Sequence, residues 1–528
     1  MTREWMFRVL IGLVGLGALF FVYQRGQDLN ADLFNYHFFS GYALLHGRFT
    51  IDIAPSGLGT FLNPIPSAFS YVALSQLAFP FSAWLVVAVQ WLSLPILIMI
   101  GREIRFDLGW HKPGFDEFLA VALCLLAPLW WSELGTSFFS STTAPLILLA
   151  VLLGIRAVKQ SHVGEAPIGM LFLAGGAAGL ASGLKLTNAI FVVALVIAIV
   201  PTIGTAKLDV ATKSVAALGV GIAAGFALTA AWNVYLAMYW GSPVFPFYNA
   251  IFRSPYGDLT NFRDQRWVFN SVGEFVQFLG EAATITGTVK TSEIKFGDGR
   301  LAMYVILTVA GLAASAIRRW SSSQTTPVRC GAYASQFLLI FVAASFLQWA
   351  VAFAYARYLI PIELLLGLVI WILCVQLLKD RIAVCAVLIT CVGITVTVLK
   401  VPDWGHTPPS HDATNIFRLD LPVELKNSPA EYLVFGNFNS FALVYFDPRS
   451  HFFRGDVSAY VEGRMKSVFD QSKRPKRVFL NDDTSINDAT ATAKRLGYRL
   501  VGETRDCLHF SSTRDKYLVC NLEAIPPQ

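Results

Sequence analysis

The residues best suited to chemistry gather early in the chain, at Asp28, Asp32, Asn35, Tyr36 and His37. If the stretch from Asp28 to Ser40 is helical, Asp28, Asp32, Asn35 and Tyr36 share one face by their i, i+4 spacing. Two carboxylates are then presented together. A carboxylate set among Phe34, Tyr36, Phe38 and Phe39 is partly desolvated, which raises its pKa and suits it to act as a general base toward a hydroxyl. The same residues also allow Asp28 to cap the helix and Asp32 to be simply solvated. Two acidic side chains four residues apart can recruit a divalent cation, so metal dependence stays open at this level.

Cations come next. Lys185, in the run from Gly183 to Asn188, stands where one apolar segment ends and another begins. An anion there would meet both an ammonium and a helix N-terminus. Arg357, between Ala354 and Pro361, occupies an equivalent place, and snorkelling to lipid headgroups is the alternative for both. Arg263, Arg266 and Arg300 lie with prolines and aromatics between residues 241 and 300. Such a mixture fits a lipid with an anionic head, rings against the chain and guanidinium groups on phosphate. Each of these arginines can instead be a salt-bridge partner within its loop. Glu293 and Asp298 are further carboxylates of the same loop.

The elements that must position these residues are membrane spans. Of 528 residues, 55% are hydrophobic and only 14% charged, against roughly a quarter charged in a soluble domain. The apolar residues come in blocks long enough to cross a hydrocarbon core of roughly 30 Å. The blocks fall near 7–23, 83–100, 117–133, 141–157, 168–184, 187–203, 214–236, 301–317, 334–353, 358–377 and 382–399, about eleven crossings. The first reads as an uncleaved anchor. The run from Asn63 to Pro80 is punctuated by prolines and reads as an interfacial helix.

Orientation follows from the loop cations. With the N-terminus inside, Arg8, Arg105, Arg156, Lys159, Lys213 and Arg381 all fall on the cytoplasmic side. The outer segments are then residues 24–82, residues 237–300 and everything after Lys400. The chain divides into a membrane domain, 1–400, and a C-terminal outer domain, 401–528, whose short β-runs and helical stretches at 458–471 and 485–496 predict a small α/β fold. Cys507 and Cys520 flank its closing strands and can be bridged or separately buried; the remaining cysteines lack metal-ligand spacing. The net charge of +6 reflects the inner loops. No basic, aromatic-studded soluble face suggests nucleic acid as a partner, and no Walker-type loop suggests ATP.

The stretches Asp32 to His37, Gly183 to Thr187, Pro243 to Asn249 and Arg357-Tyr358, on this layout, are similar to those of bacterial membrane proteins of the GT-C superfamily, the polyprenyl-phosphate-sugar-dependent glycosyltransferases. The resemblance implies an α-helical polytopic fold in the bacterial inner (plasma) membrane with the C-terminal domain outside. It implies a polyprenyl-phosphate-linked sugar as donor and a lipid or glycan hydroxyl as acceptor. Asp32, then Asp28, matches the first-loop base. Asn35, Tyr36, His37, Lys185, Arg263, Arg266, Arg300 and Arg357 are the substrate-binding candidates, with Lys185 and Arg357 placed to stabilise a leaving phosphate. No resident cofactor is implied beyond the divalent cation left open above. A polymerase or ligase of lipid-linked glycans is one alternative. A transporter, expected to show discontinuous helices and charges within the membrane, is another.

Overall fold

The computed structural model describes residues 4–163, 165–203, 208–321, 333–378, 380–408, 415–455, 459–481 and 486–526. Ser458 and Ser485, where two of the expected helices begin, lie outside the described residues. Among the described residues, eight helices are long and apolar enough to cross a membrane, nine if the bent pair Ala356–Glu363 and Leu366–Leu378 counts as one span. The other expected spans are present as shorter or broken helices. Ile168–Leu184 has 17 residues, and the 117–133 segment breaks into Phe115–Leu125 and Pro128–Ser132. The proline-punctuated run forms a helix of 12 residues, Ile65–Gln76.

Helices Ile168–Leu184 and Leu208–Ala227 touch backbone to backbone. A Cβ added at Gly225 would lie 2.0 Å from the Gly176 carbonyl oxygen, and one at Gly175 would lie 2.3 Å from that of Leu218. Small residues permit this approach, which replaces lipid contacts with van der Waals packing. Lys185 follows directly on the end of the first of these helices.

Charges sort to two faces. On one, Arg105 pairs with Glu117, Arg156 and Lys159 with Glu103, and Arg381 with Asp116. The opposite face carries residues 26–80, the 241–298 segment and the C-terminal domain. Arg25, at the end of the first helix, donates to the Pro402 carbonyl there.

Strand β1 (Gln27–Asp28) of the first loop and β2 (His406–Thr407) of the C-terminal domain form a separate antiparallel pair. The main sheet holds β3 (Glu431–Val434), β4 (His451–Arg454), β5 (Lys476–Asn481), β6 (Tyr498–Leu500), β7 (Leu508–Ser511) and β8 (Lys516–Ala524). Its order is β4-β3-β5-β8-β6, with β7 on the free half of the same β8 edge. β3 runs parallel to both β4 and β5, while β8 is antiparallel to its neighbours. Cys507 and Cys520 form a disulfide.

This domain does not close its own core. Leu33, Phe34, Phe38, Phe39 and Tyr42 of the first loop share one buried cluster with Phe417, Tyr432, Phe441, Phe446, Phe479 and Tyr517. Phe417 meets Phe34, Phe38 and Phe441 at ring-centroid distances of 5.0, 4.8 and 4.4 Å. The first loop also reaches the sheet edge, where Ile53 bridges Phe453, and buried Arg48 joins Asp52 to the Pro448 and Ser450 carbonyls. In sequence these aromatics marked only an apolar setting for Asp32, and nothing local revealed a partner some four hundred residues on.

Phe417→Ala is expected to cost about 3–5 kcal/mol, as for other buried Phe truncations. Because the core is shared, limited proteolysis should show new cleavage in the first loop as well as in the C-terminal domain. Cleavage confined to the domain would contradict a common core.

Candidate active site

The first loop departs from the α-helix at the residues of interest. Leu33–His37 is a π-turn, closed by the Phe38 N–H on the Leu33 carbonyl, before the α-helix Phe38–Leu45 begins. Single π-turns inside helices often mark functional positions because they re-aim side chains. Asp28 lies upstream in β1, so the expected face shared by Asp28 and Asp32 does not form. Asp28 is 3% exposed and its oxygens accept from Asn30 Nδ2 and the Ser137 N–H. It ties the loop to residues 135–140 and does not join Asp32 as a two-carboxylate cation site. Among the described residues no group of three or more His, Cys, Asp or Glu side chains is arranged to hold a metal ion.

Asp32 meets Arg357. Arg357 Nη2 donates to Asp32 Oδ2 at 3.1 Å, with the side chains 10% and 26% exposed, so the carboxylate is only partly covered. The guanidinium lies 3.7 Å from the Phe138 ring centroid and 5.1 Å from that of Trp404. These aromatic faces fix its plane. Arg357 Nε donates to Tyr355 Oη at 3.0 Å, and Tyr355 Oη donates to Glu293 Oε2 at 2.6 Å. Lys185 completes the group: its ammonium donates to Ser140 Oγ at 2.5 Å and sits 4.9 Å from the Tyr358 ring centroid.

The electrostatics follow from burial and these partners. Burial by itself would raise the Asp32 pKa, but the Arg357 charge, the Arg357 hydrogen bond and the Tyr36 hydroxyl more than offset it and hold the carboxyl below its usual range. Asp32 is therefore ionised at neutral pH. Burial pushes His37 down to about 3, so its ring is neutral, held by Ser67 Oγ at 3.0 Å and by the edge of Phe139.

The other candidates divide. Tyr36 packs its ring over Gly59, where a Cβ would lie 2.4 Å from it. Asn35 turns to the C-terminal domain, accepting from the Phe438 N–H and, through its carbonyl, from Ser440 Oγ. Arg266 pairs with Asp264 at the exposed rim, its guanidinium over Trp267, which stacks on Tyr355. Arg263 is exposed and donates to the Val351 carbonyl at 3.5 Å.

Arg300 is not at the site. It is fully buried, paired with Asp298 at 2.7 Å and Glu363 at 3.2 Å. Its Nη1 donates to the Leu123 and Cys124 carbonyls at the end of helix Phe115–Leu125. Glu363 accepts from the Leu129 and Trp130 N–H groups at the start of helix Pro128–Ser132. A cation thus caps the C-terminus of one half-span and a carboxylate the N-terminus of the next, the arrangement that satisfies both helix ends and their dipoles. The break it stabilises turns residues 133–140 toward Arg357 and Lys185. Tyr355, Phe138, Ser140 and Trp404 were missed from sequence. The signal available was the polar run Ser137, Ser140, Ser141, Thr142 and Thr143 interrupting an apolar segment.

Arg300→Met leaves Asp298 and Glu363 buried without their counter-charge, which is expected to cost about 3–5 kcal/mol. Thermal unfolding of the detergent-solubilised protein should drop accordingly. An unchanged transition would show that the triad does not hold the broken span.

The profile of glycosyltransferase family 87 matches residues 61–345. No curated protein sequence matches the chain. Among solved structures, ArnT from Cupriavidus metallidurans bound to undecaprenyl phosphate is similar at a TM-score of 0.46 and 14% identity, covering 100% of both chains. The apo form of that protein gives 0.48 and 13%, again over 100% of both chains. The family match runs over more than half of the chain and through the spans that carry Glu133, Ser140 and Lys185, and on that ground the chain belongs to glycosyltransferase family 87 as a multi-pass membrane glycosyltransferase.

Proposed function

We propose that the enzyme moves a sugar from a polyprenyl-phosphate donor to an acceptor hydroxyl at the outer face of a bacterial inner membrane, with Asp32 as general base. The observation that carries this reading is the junction of one accessible carboxylate with two partly buried cations, Asp32 with Arg357 and Lys185, on the face that bears the C-terminal domain. The cations Arg105, Arg156, Lys159 and Arg381 on the opposite face favour a cytoplasmic location for that face. The disulfide in the C-terminal domain favours an oxidising compartment on the other side. The ArnT structure with undecaprenyl phosphate supplies the precedent for a lipid phosphate as ligand.

In the resting site Arg357 holds Asp32 ionised and weakly basic. A donor phosphate offers the guanidinium a competing bidentate partner. As Arg357 and Lys185 engage the phosphate, Asp32 loses its ion pair and its pKa rises toward the value burial dictates. The acceptor hydroxyl then gives its proton to Asp32 as its oxygen bonds to the sugar C1. The C1–O bond to phosphate breaks on the opposite side, inverting the anomeric centre, and the electron pair leaves with the polyprenyl phosphate, whose charge the two cations stabilise.

A transporter remains the contrasting reading because two spans are broken and carry buried charge. Here the charges at the breaks are paired with each other and with helix ends, a structural use, and the family match is to a transferase.

Asp32→Asn is expected to reduce transfer by about 10² to 10⁴-fold while preserving fold, since the amide keeps the side-chain size and can still accept from Arg357 but cannot take a proton. Lys185→Ala and Arg357→Ala should each raise the donor KM and lower kcat, by about 10²-fold in kcat/KM. Radiolabelled polyprenyl-phosphate sugars with purified protein, separated by thin-layer chromatography, provide the assay. Wild-type turnover by Asp32→Asn with a verified donor would remove Asp32 from the role of base and make exposed Glu293 the next candidate.

A further inference from the structure

A second carboxylate lies beneath the two cations, and the transfer steps above do not use it. Glu133 is 0% exposed and follows directly on the short helix Pro128–Ser132 that the Arg300 triad holds in place. Ser141 donates to Glu133 Oε2 through both its N–H, at 2.8 Å, and its hydroxyl, at 3.0 Å. The preceding residue, Ser140, is the one that receives the Lys185 ammonium. Two adjacent serines therefore join the carboxylate to the cation. Among the described residues the other oxygen, Oε1, is buried and has no hydrogen-bond partner. A carboxylate oxygen left so is costly unless a positive field compensates it.

We propose that Glu133 is a positioning residue of the transfer site, the buried counter-charge that keeps Lys185 protonated and aimed at the departing phosphate. The assignment rests on the reading of Lys185 as a phosphate ligand given above. Lys185 is faced by Glu133, Arg357 and Asp32, by the neutral ring of His37 and by the Tyr358 ring. Burial pushes its ammonium down to about 8, and Glu133 is the largest of the influences pushing it back up. Asp32 acts in the same direction but becomes neutral when it takes the acceptor proton. Glu133 has no such duty, so its charge persists through the step at which the phosphate departs. Glu133 also attracts Arg357, which makes the resting cluster two cations against two carboxylates.

Competitive acetylation of the full-length protein with acetic anhydride across pH, read at Lys185 by mass spectrometry, measures its protonation without any substrate. Glu133→Gln, which can still accept from Ser141, is expected to lower the Lys185 midpoint by about one pH unit, and Glu133→Asp to retain the wild-type midpoint. In transfer assays the alkaline limb of the kcat/KM profile should move down by the same amount in Glu133→Gln. As a second measurement, thermal unfolding of Glu133→Gln/Lys185→Met should show a smaller further loss beyond Lys185→Met than Glu133→Gln causes in the wild-type protein, the remainder reflecting Arg357. A Lys185 midpoint unmoved by Glu133→Gln, or fully additive thermal losses, overturns the proposal. A shifted midpoint in a protein that transfers nothing from polyprenyl-phosphate sugars upholds the coupling and refutes the donor assignment instead.

Discussion

An ion pair between Asp32 and Arg357, 325 residues apart in sequence, is the contact on which the rest of the arrangement turns. Neither partner reaches the other by local folding. Asp32 is delivered by a π-turn in a loop whose aromatic face is sealed into the core of the C-terminal domain. Arg357 is delivered by a span bent by 54° and pinned at Glu363. The C-terminal domain thus acts on the site by holding the first loop down, and Trp404, at its junction with the membrane domain, adds a wall to Arg357.

Breaking a span within a membrane leaves backbone groups that lipid cannot satisfy. The molecule answers with one buried triad, Asp298, Arg300 and Glu363, that serves two broken spans at once. Arg300 closes the end of one half-helix, and Glu363 opens the next while belonging to the segment that carries Arg357. The same charges that in isolation suggest a transport path are here consumed in capping. The consequence for catalysis is geometric: residues 133–140 are turned back to meet Lys185.

The blocks of hydrophobicity made the multi-pass membrane fold legible from sequence, because apolar span length is a local property. Asp32, Lys185 and Arg357 were legible as isolated anomalies, a carboxylate among aromatics and two cations at the wrong ends of spans. What local pattern did not carry was pairing. Arg300 stood in sequence with Arg263 and Arg266 as a loop cation suited to a lipid headgroup, yet it is fully buried against Asp298 and Glu363. Asp28 looked like the partner of Asp32 by helical spacing, and a two-residue strand with His406 and Thr407 places it elsewhere. Glu133 gave no signal because its partner, Ser141, lies eight residues on, beyond the break between two helices.

The central claim is that Arg357 exchanges a carboxylate for a phosphate, and in doing so converts Asp32 from a paired anion into a base. A structure of the protein in lipid nanodiscs with polyprenyl phosphate bound tests this most directly. The account predicts phosphate density in contact with both Lys185 and Arg357, and an Asp32 carboxylate drawn away from the guanidinium and facing open space. Phosphate seated elsewhere, with the Asp32–Arg357 pair still at 3.1 Å, would contradict it.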